Sequence, residues 1–166
     1  YRIVAARDGT LLEYDPPLPP AGAPTALSRG ESKIFYAGTG DTFVVRTQDA
    51  DHPIYVAAYM SGGIQANGAG DPEFVNVVPT GQYLRSYSFY ADPTYPETSL
   101  VIVRAKTAGR FHDVWLECAG NLTEFRPIGT RGDYEFTRVD LSRNFGSGDS
   151  FDGGTCKVGM QRMNSD

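Results

Sequence analysis

No stretch of this chain long enough for a helix places apolar residues three and four apart. Short apolar runs recur instead, β-branched or alternating, each closed by glycine, proline or aspartate. Residues 70–91 show the pattern best. Residues 74–78 are mainly apolar and β-branched, and Pro79, Thr80 and Gly81 break the run. Tyr83, Arg85, Tyr87 and Phe89 then alternate with Leu84, Ser86 and Ser88. The reading is two strands joined across a turn, with Asp71-Pro72 as the opening turn. The 19 glycines and 11 prolines would be costly in helices, while 10 tyrosines and 9 phenylalanines suit strands.

Taken in order, residues 2–6 and 11–14 read as strands around an Asp8-Gly9 hairpin turn. Five prolines in residues 15–24 forbid a central strand and predict a stiff, extended crossing between two sheets. Residues 33–36 and 42–47 are strands, 48–53 a tight polar corner, and 54–60 a strand buried on both sides. Residues 61–70 are a glycine-rich connection. Residues 100–104 form the strongest core strand. Residues 111–117 carry Trp115 in alternation with Asp113 and Glu117, and Trp115 is expected to pack between sheets. Residues 134–139 and 157–163 are the last strands, separated by a Gly, Ser and Asp loop over 143–154. About ten strands with regular turn signals predict an all-β, antiparallel sandwich with long end loops. No repeat or low-complexity linker divides the 166 residues, so a single sandwich domain over 1–166 is expected.

The net charge of −5 and the scattered basic residues argue against a nucleic-acid partner. No apolar run is long enough to span a bilayer, so membrane insertion is not expected. The chain starts at Tyr1 rather than Met, as a mature or excised fragment would, so a missing signal peptide says nothing about secretion. Two cysteines, Cys118 and Cys156, are too far apart for a redox CxxC motif. Two lone cysteines can be buried free thiols. Scarce lysine, tyrosine- and glycine-rich strands and long loops favour an extracellular setting, and hence a disulfide.

Several longer pieces add up. They are TxLxYDPxxP near the start, FVVRTQDADHPIYVAAYMSG, GDPEFVNVVPTGQYLRSYSFYADPTYP and SLVIVRA. WLECAG, GDYEFTRVDL and a terminal KVGMQRMNSD follow. In this order they resemble the domain family named for the amino-terminal region of the IgGFc-binding protein, a family widespread in secreted and surface proteins. The cysteine pair resembles a bacterial branch, and the resemblance implies a Cys118–Cys156 disulfide. In the family pattern a further strand follows Ser165-Asp166. The chain therefore reads as an excised fragment lacking a final strand, with an exposed sheet edge. The resemblance implies a secreted or surface-displayed binding or adhesion module. It places Fc binding on no residue here.

Among candidate chemistries, Asp49, Asp51 and His52 are the best polar cluster. Carboxylates at i and i+2 in a turn can ligate calcium, which makes Asp49 and Asp51 a possible calcium site. The plainer reading is that they hydrogen-bond their own turn and His52 anchors it before Pro53. Asp149 and Asp152, in GSGDSFDGG, are a second candidate in a loop that glycine allows to wrap tightly, but the pattern matches no calcium-loop repeat and the plainer reading is a solvated surface loop. Asp140 can join that group. A triad would have to use His52 or His112, and no GxSxG elbow is present. With 20 acidic residues, a glycosidase pair cannot be singled out. Asn121-Leu122-Thr123 is an N-glycosylation sequon.

The expectation is thus a non-enzymatic extracellular or cell-surface adhesion module of a larger protein, binding a protein or glycan on a cell or mucosal surface. No cofactor is expected beyond the possible calcium. The binding surface is placed on the loops 48–53 and 143–154. The alternatives are a carbohydrate-binding module attached to an enzyme, for which Trp115 and surface tyrosines could stack on sugar rings, and a structural spacer or assembly domain.

Overall fold

The computed structural model describes residues 1–38, 40–59 and 74–166. Met60, the predicted connection 61–70 and the Asp71-Pro72 turn lie outside the described residues. The chain divides into two compact units, Tyr1–Pro79 and Thr80–Asp166. Both are built of antiparallel strands, and no α-helix occurs among the described residues. The all-β expectation therefore holds.

The first unit contains β1 (Arg2–Ala5), β2 (Thr10–Asp15), β3 (Ala26–Leu27), β4 (Ser32–Ile34), β5 (Val44–Thr47), β6 (Ile54–Tyr59) and β7 (Phe74–Asn76). One sheet has the order β4-β1-β6-β7, the other β3-β2-β5. Alternation decides what each buries. Ile3 and Ala5 from β1, and Leu12 and Tyr14 from β2, meet in one core with Leu27 and Phe35. Full burial of a side chain such as Ile3 or Phe35 stabilises by about 1.5–3 kcal/mol. Burial also pushes the Tyr14 phenol up to about 12, and its hydroxyl donates to the Pro24 carbonyl at 2.8 Å.

Pairing departs from the sequence reading in three places. β1 pairs with β4 and β6, and β2 with β3 and β5, so Asp8-Gly9 carries the chain from one sheet to another instead of closing a hairpin. Beyond the end of β5 the start of β2 is held by a side chain. Leu11 N donates to Gln48 Oε1 at 2.9 Å, and Gln48 Nε2 donates to the Gly9 carbonyl at 3.0 Å. The proline-rich segment, which opens with a cis Asp15-Pro16 bond, leads into β3, and β3 lies beside β2. It closes within one sheet and does not cross between two. β6 is an inner strand but is not buried on both faces, because Tyr55 and Tyr59 are about half exposed.

The second unit contains β8 (Ser86–Ala91), β9 (Thr98–Ala105), β10 (Val114–Leu116), β11 (Gly120–Asn121), β12 (Arg126–Ile128), β13 (Tyr134–Ser142), β14 (Ser150–Phe151), β15 (Gly154–Thr155) and β16 (Gly159–Ser165). Its sheets have the orders β11-β10-β16-β8 and β12-β13-β9, and β14-β15 is a small hairpin inside the predicted 143–154 loop. Ile102, Val114, Leu116, Leu122, Val139 and Leu141 form its core with Cys156. The two strands read within residues 74–89 are present as β7 and β8 but do not pair with each other. β7 pairs with β6 and β8 with β16, so the break at Pro79 is where one unit ends and the next begins. The Cys118–Cys156 disulfide is present, joining the turn after β10 to the segment after β15 across 38 residues.

Trp115 is the clearest correction. It does not pack between sheets. Val114 and Leu116 are buried, so the period of two turns Trp115 outward, where it is 38% exposed.

Candidate functional site

Three polar sites can be built from the residues upward. The first is the corner after β5. Asp49 Oδ1 accepts from the backbone N–H of Asp51 at 2.9 Å and of His52 at 3.1 Å, and pairs with His52 Nδ1 at 2.6 Å. Thr47 Oγ1 donates to the Asp49 carbonyl at 2.9 Å. This is an aspartate folding the chain onto itself. The His52 hydrogen bond, against a smaller desolvation effect, holds the Asp49 carboxyl below its ordinary range. The fold thus brings Asp49 and His52 together, while Asp51 contributes its backbone amide.

The second site lies where β13 bulges between Asp140 and Ser142. Partial burial pushes the Asp140 carboxyl up, but hydrogen bonds from Ser99, Arg138 and Arg143 together outweigh it and lower the pKa. Asp140 Oδ1 accepts from Ser99 Oγ at 2.7 Å and Arg138 Nε at 3.0 Å, and Oδ2 from Arg143 Nε at 2.9 Å. Asp149 closes the group. Its Oδ2 accepts from the Asp140 backbone N–H at 2.8 Å and its Oδ1 from Arg143 Nη2. Asp149 and Arg138 also line a cleft of about 270 Å³ with Thr123, Glu124, Thr137 and Phe151. Asp152 is exposed in the turn of the β14-β15 hairpin, apart from this clamp. Sequence reasoning found Asp140 and Asp149 but missed their arginines. Arg138 could have been placed on the face of Asp140 by its i−2 spacing and Arg143 stands only three residues after Asp140, but nothing local announced Ser99.

The third site is the open face around Trp115. Trp115 lies directly opposite Asn121 on β11 and Asn164 on β16, and Asn164 lies opposite Ser86 on β8. Residues opposite one another in a ladder share a face, so these four form one row across the sheet. All four are exposed. Ser86 Oγ donates to Asn164 Oδ1 at 2.8 Å. In the next row Arg162 reaches both carboxylate oxygens of Glu117, at 2.8 and 3.3 Å, and lowers its pKa.

Elsewhere in the second unit, Arg104 stacks 3.7 Å over the Phe125 ring, reaches Glu135 Oε2 through Nε and Nη2, and donates to the His112 carbonyl. These contacts tie β9, β13 and the segment before β10 together.

Among the described residues no group of three or more His, Cys, Asp or Glu is arranged to hold a metal ion, and no helix is long and apolar enough to cross a membrane. Compared with known families, the chain matches the one described as IgGFc binding protein over residues 1–166. No curated protein and no solved structure gives a significant match.

Proposed function

Because the chain belongs to the IgGFc-binding protein family, a family of binding modules, over its whole length, we propose that it is a non-catalytic recognition and adhesion module working outside the cell or on its surface. The whole-length family match carries this reading. The disulfide supports the setting, since such bridges persist in oxidising compartments. The sheets supply a rigid frame, and recognition runs through exposed side chains that the frame holds in place. The partner class is a protein or a glycan of a cell or mucosal surface, and the IgG Fc region of the family's description is one candidate among these. Asp49 is engaged by its own turn and Asp149 by the clamp around Arg143, which supports a reading in which recognition needs no calcium.

The test is capture on the immobilised chain from mucus, serum and bacterial-surface extracts, in calcium and again in chelator. A specific partner retained equally in both conditions is expected. Retention only in calcium would make Asp49 and Asp51 a metal site. No retention in either would leave the spacer reading.

A further inference from the structure

We infer that the sheet face centred on Trp115 is a binding platform for a neutral saccharide. This rests on the recognition reading above and names a ligand class and a site for it. The face combines two chemistries in one row. The indole of Trp115, 38% exposed, offers a broad apolar ring with a polar N–H at its edge. On either side stand Asn121 and Asn164, with Ser86 beyond Asn164. Amide and hydroxyl groups are uncharged donors and acceptors in one place. A pyranose presents the matching pair, a face of C–H groups and a rim of hydroxyls.

The charges on the same face narrow the ligand further. Glu117 and Arg162 neutralise each other in a two-oxygen pairing. Asp113, two residues before Trp115, is exposed and adds an acceptor with a negative charge, which disfavours an anionic sugar. The row is also fixed in place. Val114 and Leu116 anchor β10 in the core on either side of Trp115, β16 pairs with it along Val114–Leu116, and the Cys118 disulfide follows two residues after Leu116. A rigid aromatic with two flanking amides binds without ordering a loop, which lowers the entropy cost of recognition. The Asp149 cleft, by contrast, has its carboxylate occupied by Arg143 and the Asp140 amide.

The chain has a single tryptophan, so its emission reports on this face alone. The intact oxidised chain, made in a host without N-glycosylation so that Asn121 stays bare, is titrated with cellohexaose, chitohexaose and mannohexaose. Sialyllactose and a heparin oligosaccharide serve as anionic probes. A saturable emission change with at least one neutral probe, and none with the anionic pair, is expected. By calorimetry, Trp115→Ala and Asn164→Ala should each weaken that binding about tenfold or more, while Trp115→Phe retains part of it. Trp115 and Asn164 are exposed, and unchanged denaturation midpoints would show that the variants fold. No emission change with any neutral probe, or Trp115→Ala binding as wild type does, would overturn the platform. A protein partner captured equally well by wild type and Trp115→Ala would also overturn it, yet leave the recognition reading standing.

Discussion

Gly148 passes so close to Asp140 that a Cβ on it would lie 1.8 Å from the Asp140 carbonyl oxygen. The contact is backbone against backbone at the β13 bulge. The Asp149 N–H then donates to that same carbonyl at 2.8 Å. Gly148→Ala must therefore push the 143–154 segment off β13. A loss of about 1–3 kcal/mol in urea denaturation is expected, as for other overpacked sites. Gly81→Ala, with nothing within 4 Å of the added Cβ, should be close to neutral. Equal behaviour of the two variants would show that the 148 segment yields freely.

Gln48, just past β5, ties the start of β2 with both ends of its amide. Gln48→Ala removes two hydrogen bonds, each worth about 0.5–1.5 kcal/mol net. The corresponding drop in stability is expected. Amide exchange at Leu11 should rise with it, because that N–H loses its acceptor.

Acid should weaken the second unit through Asp140. Its folded pKa is depressed, so its contribution is complete above the unfolded aspartate value of about 3.9 and is lost as pH falls through the lower folded value. Asp49 acts in the same direction in the first unit. Denaturation midpoints measured from pH 7 down to about pH 2 should fall at the acid end. In Asp140→Asn the stability at neutral pH should be lower and the acid-side fall shallower. An unchanged pH profile would mean that the arginines do not favour the charged form of Asp140.

Removing the disulfide by Cys118→Ser with Cys156→Ser frees a 38-residue loop in the unfolded chain. The chain-entropy model puts the cost at about 4 kcal/mol. A large drop in the denaturation midpoint of the second unit is expected.

Where the longer strands lie was legible to within a few residues, because alternation is local, whereas the two- and three-residue strands β3, β11, β12, β14 and β15 are too short to show it and were not read. Residues 2–6, 42–47 and 134–139 each contain a strand, with ends moved by one to three residues. Which strand pairs with which was not. Asp8-Gly9 and Pro79-Thr80-Gly81 both carry good turn chemistry, yet each joins strands of different sheets. A turn fixes a local reversal, whereas the partner of a strand is chosen by distant packing. Trp115 was misplaced for a different reason. Its size suggested the core, although it stands in phase with Asp113 and Glu117 and between two smaller apolar residues, which was the signal to follow. Of the candidate sites, the Asp49 turn was readable because its partners lie within three residues. The part of Ser99 in the Asp140 clamp and the Trp115–Asn164 row were not, since Ser99 and Asn164 reach them from more than forty residues away.

The most direct measurement is equilibrium binding of the intact chain, immobilised through one terminus, to mucus, serum and bacterial-surface fractions, oxidised and then reduced. Saturable binding by the oxidised chain, sharply weakened once Cys118–Cys156 is reduced, is the result expected of a recognition module whose binding face is held by the disulfide-bridged second unit. Absence of saturable binding by the oxidised chain in every fraction would contradict it.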